Sequence, residues 1–229
     1  MRKTLTLGIA AGALIALAGT TPASASQWDD AQLSVLHGIP GVTVDVYVNN
    51  ALTLDNFEPG DLAGPLELAR GKYTVAITAS DAADASAPII GPIELKLRGG
   101  KDYTAVAHLT EAGQPTATLF KNKTTPVKDG TGRLTVRHVA AAPAVDILAG
   151  GAPAITDLSN SEQARLTLPA GTISASVAAT GTTQPVIGPA DLPIPEGVNT
   201  IVYAWGSLAD GTLGLAVQSL DVGTKGGNR

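Results

Sequence analysis

The chain has no cysteine among its 229 residues. That single absence excludes disulfides, a lipidated cysteine anchor and a thiol nucleophile. Secreted eukaryotic domains of this size usually carry disulfides, so the lack of them leans toward a bacterial exported protein. Aromatic residues are scarce as well, with two Trp, four Tyr and two Phe, which leaves few side chains to build the stacking platforms that glycan-binding surfaces use. The 15 Lys and Arg are scattered and outnumbered by 20 Asp and Glu. Nucleic acid and anionic membranes are therefore excluded as expected partners. Beyond the first residues, no apolar run approaches the roughly 18 residues of a membrane span.

What is present begins with a leader. Arg2 and Lys3 precede an uncharged apolar stretch from Leu5 to Ala18, followed by Ala23-Ser24-Ala25. This is the pattern of a secretory signal peptide over residues 1–25, with cleavage after Ala25. Removing it takes the net charge from −5 to −7, because the leader carries Arg2 and Lys3 and no acid. The 26 glycines and 15 prolines stay below the level that marks disorder. A folded, secreted chain is expected, extracellular or loosely surface-associated, with no transmembrane segment after the leader is removed.

The rest of the sequence repeats itself. Leu33-Ser34-Val35-Leu36-His37, followed after seven residues by Asp45-Val46, returns as Leu134-Thr135-Val136-Arg137-His138 and Asp146-Ile147. Pro88-Ile89-Ile90-Gly91-Pro92 returns as Pro185-Val186-Ile187-Gly188-Pro189. A period of about a hundred residues is the size of an independent small domain, not of a solenoid repeat. The predicted organisation is a first unit over 26–121, a linker over 122–132, a second unit over 133–222 and a flexible tail over 223–229.

Within each unit the periodicity is that of strands. Valines at 42, 44, 46 and 48 alternate with Thr43, Asp45, Tyr47 and Asn49. Ile93, Leu95 and Leu97 alternate with Glu94, Lys96 and Arg98, and Gly99-Gly100 reads as a hairpin turn into a partner strand from Tyr103. Candidate strands fall near 32–37, 42–49, 52–54, 66–68, 73–79, 93–97, 103–109 and 116–121. The predicted fold class is all-β, as two tandem antiparallel β-sandwich domains of immunoglobulin-like kind.

The repeated pairs His37 with Asp45, and His138 with Asp146, are the first candidates for chemistry. A histidine oriented by a carboxylate is a general-base unit and a common metal pairing. Strand parity separates the members: each His shares the side of the apolar residues, while each Asp falls on the outward side. If residues 32–37 and 42–49 form a simple hairpin, His and Asp occupy different faces. A structural reading, with a buried His donating to a loop carbonyl and an Asp accepting backbone N–H groups, competes with a catalytic or metal role. Two ligands per unit also fall short of the three or four that zinc needs. His108 has no repeated counterpart, since Trp205 stands there. Asp55, Asn56, Glu58 and Asp61 crowd oxygen ligands as a hard-cation site would, without EF-hand spacing, and read as a solvated loop. No Gly-x-Ser-x-Gly elbow occurs. Tyr47, on the outward side beside Asp45, is the best single candidate for ligand contact.

The stretch from His37 to Asp45-Val46-Tyr47-Val48, the turn Leu68-Ala69-Arg70-Gly71-Lys72-Tyr73 and Gly100-Lys101-Asp102-Tyr103-Thr104 resemble the bacterial secreted family called domain of unknown function 4397. His138, Pro143 to Ile147, Leu168 to Gly171 and Gly197 resemble it again, with Thr200 in place of Tyr103. The resemblance implies exported β-sandwich modules, often in tandem, and no established activity or cofactor. The expected function is a non-enzymatic binding or surface module for a cell-envelope glycan or protein. A hydrolase or metal-dependent enzyme using the His and Asp pairs is one alternative, and a structural spacer is the other.

Overall fold

The computed structural model describes residues 30–226, so the leader read over 1–25 and the last three residues lie outside the described chain. The described part is all β. The first eight strands are β1 (Asp30–His37), β2 (Val44–Val48), β3 (Ala51–Phe57), β4 (Leu62–Ala69), β5 (Gly71–Ala79), β6 (Ile90–Leu97), β7 (Asp102–Leu109) and β8 (Pro115–Lys121). A short β9 (Val127–Lys128) follows. A second set comprises β10 (Thr131–Ala141), β11 (Val145–Ala149), β12 (Ala152–Leu158), β13 (Gln163–Pro169), β14 (Gly171–Ala179), β15 (Pro185–Ile194), β16 (Val198–Ser207) and β17 (Gly214–Asp221), closed by β18 (Thr224–Lys225). Each candidate strand read from the first unit coincides with one of β1 to β8.

The first set forms two sheets, ordered β4-β1-β7-β8 and β3-β2-β5-β6, and the second repeats that order as β13-β10-β16-β17 and β12-β11-β14-β15. Each pair of sheets shares one apolar core. In the first, Leu33, Val35, Val46, Leu54, Ile77 and Leu95 meet; in the second, Leu134, Val136, Ile147, Ile155, Val177 and Val202. Period-two strands with one apolar face must bury that face against a second layer, and the two sheets do this for one another.

Several expectations need correction. One sheet of each pair is mixed, because β1 runs parallel to β7 and β10 parallel to β16, while the other sheet of each pair is wholly antiparallel. A parallel neighbour requires a long crossover, here the whole of the other sheet together with β4 or β13, which local turn signals do not reveal. The hairpin considered between residues 32–37 and 42–49 does not form, since β1 and β2 belong to different sheets. For the same reason Gly99-Gly100 does not join hairpin partners but carries the chain from β6 in one sheet to β7 in the other. The segment over 122–132 is no free linker: Asn122 and Val127 are buried, and the Arg133 guanidinium donates to the Lys123 and Thr125 carbonyls at 3.0 Å each. Nor is the tail free throughout, because Thr224 and Lys225 pair with Val127 and Lys128. Thr, Pro and Gly signal irregular backbone in these segments, and irregular backbone still fills its hydrogen bonds.

The largest departure concerns the outer faces of the inner sheets. Leu36, Val106 and Phe120 from the first set pack against Val139, Ile201, Tyr203 and Ala216 from the second. The two inner sheets thus meet across a third core, and β1, β7, β10 and β16 are buried on both faces.

Candidate functional site

Each His and Asp pair is built into a corner where the chain leaves an inner sheet for an outer one. His37 ends β1 and His138 lies three residues before the end of β10, at 0% and 1% exposure. His37 Nε2 lies 2.7 Å from the Val42 carbonyl oxygen, and His138 Nε2 lies 3.0 Å from that of Pro143. A carbonyl only accepts, so each Nε2 carries the proton. The backbone of each histidine is clamped in the same way: His37 N–H donates to Asp61 O and His37 O accepts from Gly60, while His138 uses Glu162 and Ser161. His37 also stacks on Phe57, with ring centroids 6.0 Å apart. Burial depresses the pKa of both imidazoles below the ordinary histidine value, against the opposing pull of those carbonyl bonds.

The aspartates were expected to face outward, yet Asp45 and Asp146 are each only 4% exposed. Parity took that side of the strand for a solvated one, but the neighbouring strand, β3 or β12, bulges there and turns an amide onto the carboxylate. Asp45 Oδ1 accepts the Asn56 N–H at 2.9 Å, and Asp146 Oδ1 accepts the Asp157 N–H at 2.9 Å. Asn56 and Asp157 have positive φ, 52° and 56°, so these bonds fix a left-handed turn. Asp146 Oδ2 takes a further N–H from Gly181, and the two amides hold this carboxyl below the usual carboxylate range. Among the described residues no hydrogen bond joins either histidine to its aspartate.

The oxygen-rich loop also turns inward on its own backbone. Asp61 accepts the Glu58 N–H at 3.3 Å, and Glu162 accepts the Ser159 N–H at 3.1 Å. No group of three or more His, Asp or Glu converges on a metal position among the described residues. Tyr47 is half-buried, opposite Leu52 and Ala76 in its sheet.

The richest polar cluster lies between the inner sheets. Arg137 is fully buried, with its guanidinium carbon 4.4 Å from the Phe120 ring centroid and 5.2 Å from that of Tyr203. It donates to Tyr203 Oη and Asn122 Oδ1 at 2.6 Å each, and to Gln163 Oε1 at 3.2 Å. Asn122 Nδ2 passes the connection to Asp102 and to Thr104 Oγ1. Gln218 Oε1 accepts from Tyr203 Oη at 2.6 Å and Thr104 Oγ1 at 3.0 Å, while Gln218 Nε2 donates to Ser34 Oγ at 3.1 Å. Burial raises Asp102 and Tyr203 above their ordinary values and lowers Arg137 below its own. The charge is retained because each guanidinium nitrogen finds an acceptor and two aromatic rings flank it.

Sequence reasoning passed over this cluster, since Arg137 marked an outward face there. The signal that could have found it lies in the strands themselves. Val106 and Ile201 are apolar on the parity opposite to Ala105, Ala107 and Val202, which asks for cover on both sides.

The sequence model of the family described as domain of unknown function (DUF4397) matches residues 31–148. The chain belongs to this family. The match opens in β1 and runs through the buried Asn122 segment into β11. No curated protein matches the chain. Among solved structures, the TIE protein of Bacillus anthracis is similar at 12% identity and a TM-score of 0.25, over 86% of this chain and 32% of that one. The chain therefore spans about a third of that protein's length.

Proposed function

We propose that this family member is an exported bacterial protein built from two tandem copies of an immunoglobulin-like β-sandwich, acting as a non-enzymatic binding module for a cell-envelope glycan or protein. The observation that carries the reading is the fate of the histidines and aspartates. All four side chains are withdrawn from solvent and bonded to backbone, so the groups best suited to acid–base work serve as corner fastenings. What the molecule offers to a partner is its outer sheets and loops, with Tyr47 as an accessible aromatic. The locked joint between the inner sheets supports a rigid carrier for two such surfaces.

The test is binding of the full chain to immobilised envelope polysaccharides on a glycan array. Binding is expected to survive His37→Gln and His138→Gln and to weaken several-fold with Tyr47→Ala. Turnover of an envelope substrate that disappears with the two histidine substitutions would sink the reading and favour a hydrolase.

A further inference from the structure

We propose that the end of the inter-unit joint where the chain's histidines gather is an acid-sensitive latch, closed when they are neutral and opened by their protonation. This concerns regulation of the assembled pair and stands apart from the binding reading. The chain has three histidines, and each belongs to this end of the joint. Gly38, directly after His37, is wedged there: a methyl group added to it would stand 3.2 Å from Trp205 Cβ and 3.7 Å from His108 Cβ. One added to Gly60 would stand 3.0 Å from Trp205 Cζ2. Thus Trp205 of the second unit sits on the His37 corner of the first, next to His108.

His108 is linked to the His138 corner by one side chain. Asn160 Nδ2 donates to Leu109 O in the first unit at 3.0 Å and to Ala140 O in the second at 2.7 Å. The same Leu109 carbonyl accepts from His108 Nδ1 at 2.9 Å, and Ala140 N–H points at His138 Nδ1 at 3.4 Å. Asn160 therefore spans the Leu109 carbonyl, to which His108 also donates, and the carbonyl of Ala140, the residue whose N–H points at His138.

Protonation breaks this arrangement at identifiable atoms. His138 already donates through Nε2 to Pro143 O, so an added proton goes to Nδ1 and opposes the Ala140 N–H, donor against donor. His108 accepts at Nε2 from Thr118 Oγ1, 2.9 Å away, and a proton there forces the hydroxyl to turn. In His37 the buried Nδ1 has no partner, so its proton would be left unsatisfied. The charged groups facing the cluster are Asp61 toward His37 and Glu111 toward His138, while His138 itself faces His108. The two acids favour the charged rings, but burial dominates at all three sites, and charging His108 and His138 together adds repulsion.

Trp205 reports the state of the latch. In the full chain carrying Trp28→Phe, Trp205 is the sole tryptophan, because the protein has only two. Its emission is expected to shift to the red on acidification, with a midpoint below the ordinary histidine value of 6.5, while the far-ultraviolet β signal persists. The shift is expected to disappear in His37→Gln/His108→Gln/His138→Gln. An unchanged emission, a shift that coincides with loss of the β signal, or a shift that persists in the triple variant would each overturn the proposal. Should that variant fail to fold, hydrogen exchange on the unsubstituted chain decides. Amides at Gly38 and Ala140, corrected for intrinsic rate, are expected to lose protection at pH 5 before the outer-sheet strands do, and equal protection at both pH values overturns the latch.

Discussion

At the scale of single residues, the strongest commitment in the molecule is the buried charge of Arg137. Its acceptors, Asn122, Tyr203 and Gln163, come from different segments, so truncation strands polar groups between two inner sheets. Arg137→Ala is expected to cost on the order of 3–5 kcal/mol, read as a fall in the urea midpoint. Arg137→Leu, which copies Leu36 from the equivalent place in the first unit, keeps apolar contact with Phe120 and should cost less than the alanine. In each corner the burial of the His was legible from period-two alternation, whereas the same alternation sent Asp45 and Asp146 outward and both are buried. What lay beyond local pattern was the bulge of the neighbouring strand over Asp45 and Asp146. Its cause is the need of the Asn56 and Asp157 amides for an acceptor, which becomes visible only once the turn exists.

Among the elements, the repeated Gly-Pro steps of β6 and β15 make a matched experiment. Gly91 and Gly188 have φ of 99° and 86°, and a methyl group on each would stand 2.6 Å from Val75 O and 2.9 Å from Ala175 O. Those oxygens are backbone atoms of neighbouring strands and cannot swing aside. Gly91→Ala and Gly188→Ala are each expected to destabilise by roughly 1–3 kcal/mol, with thermal unfolding as the measure. A second element-level outcome concerns the strap made by β9 and β18. Ending the chain at Val222 should leave the four-stranded sheets intact yet speed hydrogen exchange at Val127, whose N–H donates to Gly223 O at 3.1 Å. Strands were readable from valine and isoleucine alternation and from Asn and Gly turns. Pairing was not, because a glycine turn joins two strands without saying whether they share a sheet. The polar side of the inner strands, with Ser34, Thr104, Thr135 and Gln218, carried the composition of a solvated face and is instead a sealed one.

For the molecule as a whole, burial of every histidine sets the direction of its response to acid. Folding lowers the pKa of His37, His108 and His138 below the value of 6.5 that each takes when unfolded. As pH falls through 6.5, the unfolded chain therefore takes up protons first. The stability these neutral rings provide is fully present above 6.5 and declines below it, with a slope of up to about 1.4 kcal/mol per pH unit for each histidine. Asp146, depressed by its two amides, extends the loss to lower pH, while Asp102, raised by burial, works in the opposite sense. Urea midpoints collected between pH 8 and 5 should fall steadily below 6.5, and replacing His108 by Gln should flatten the curve.

The parallel pairing of β1 with β7 carries a consequence of timing. All of β2 to β6 lies between these neighbours in the sequence, and the same holds for β10 and β16. A large loop must close before either contact is rewarded, which makes such pairings slow relative to local turns. In each unit the strand synthesised first thus completes its parallel pairing among the last steps, and the joint between units waits on β17, which supplies Gln218. Assembly runs against the order of synthesis, so an incomplete chain presents Leu36 and Val106 to its surroundings until its last strands arrive.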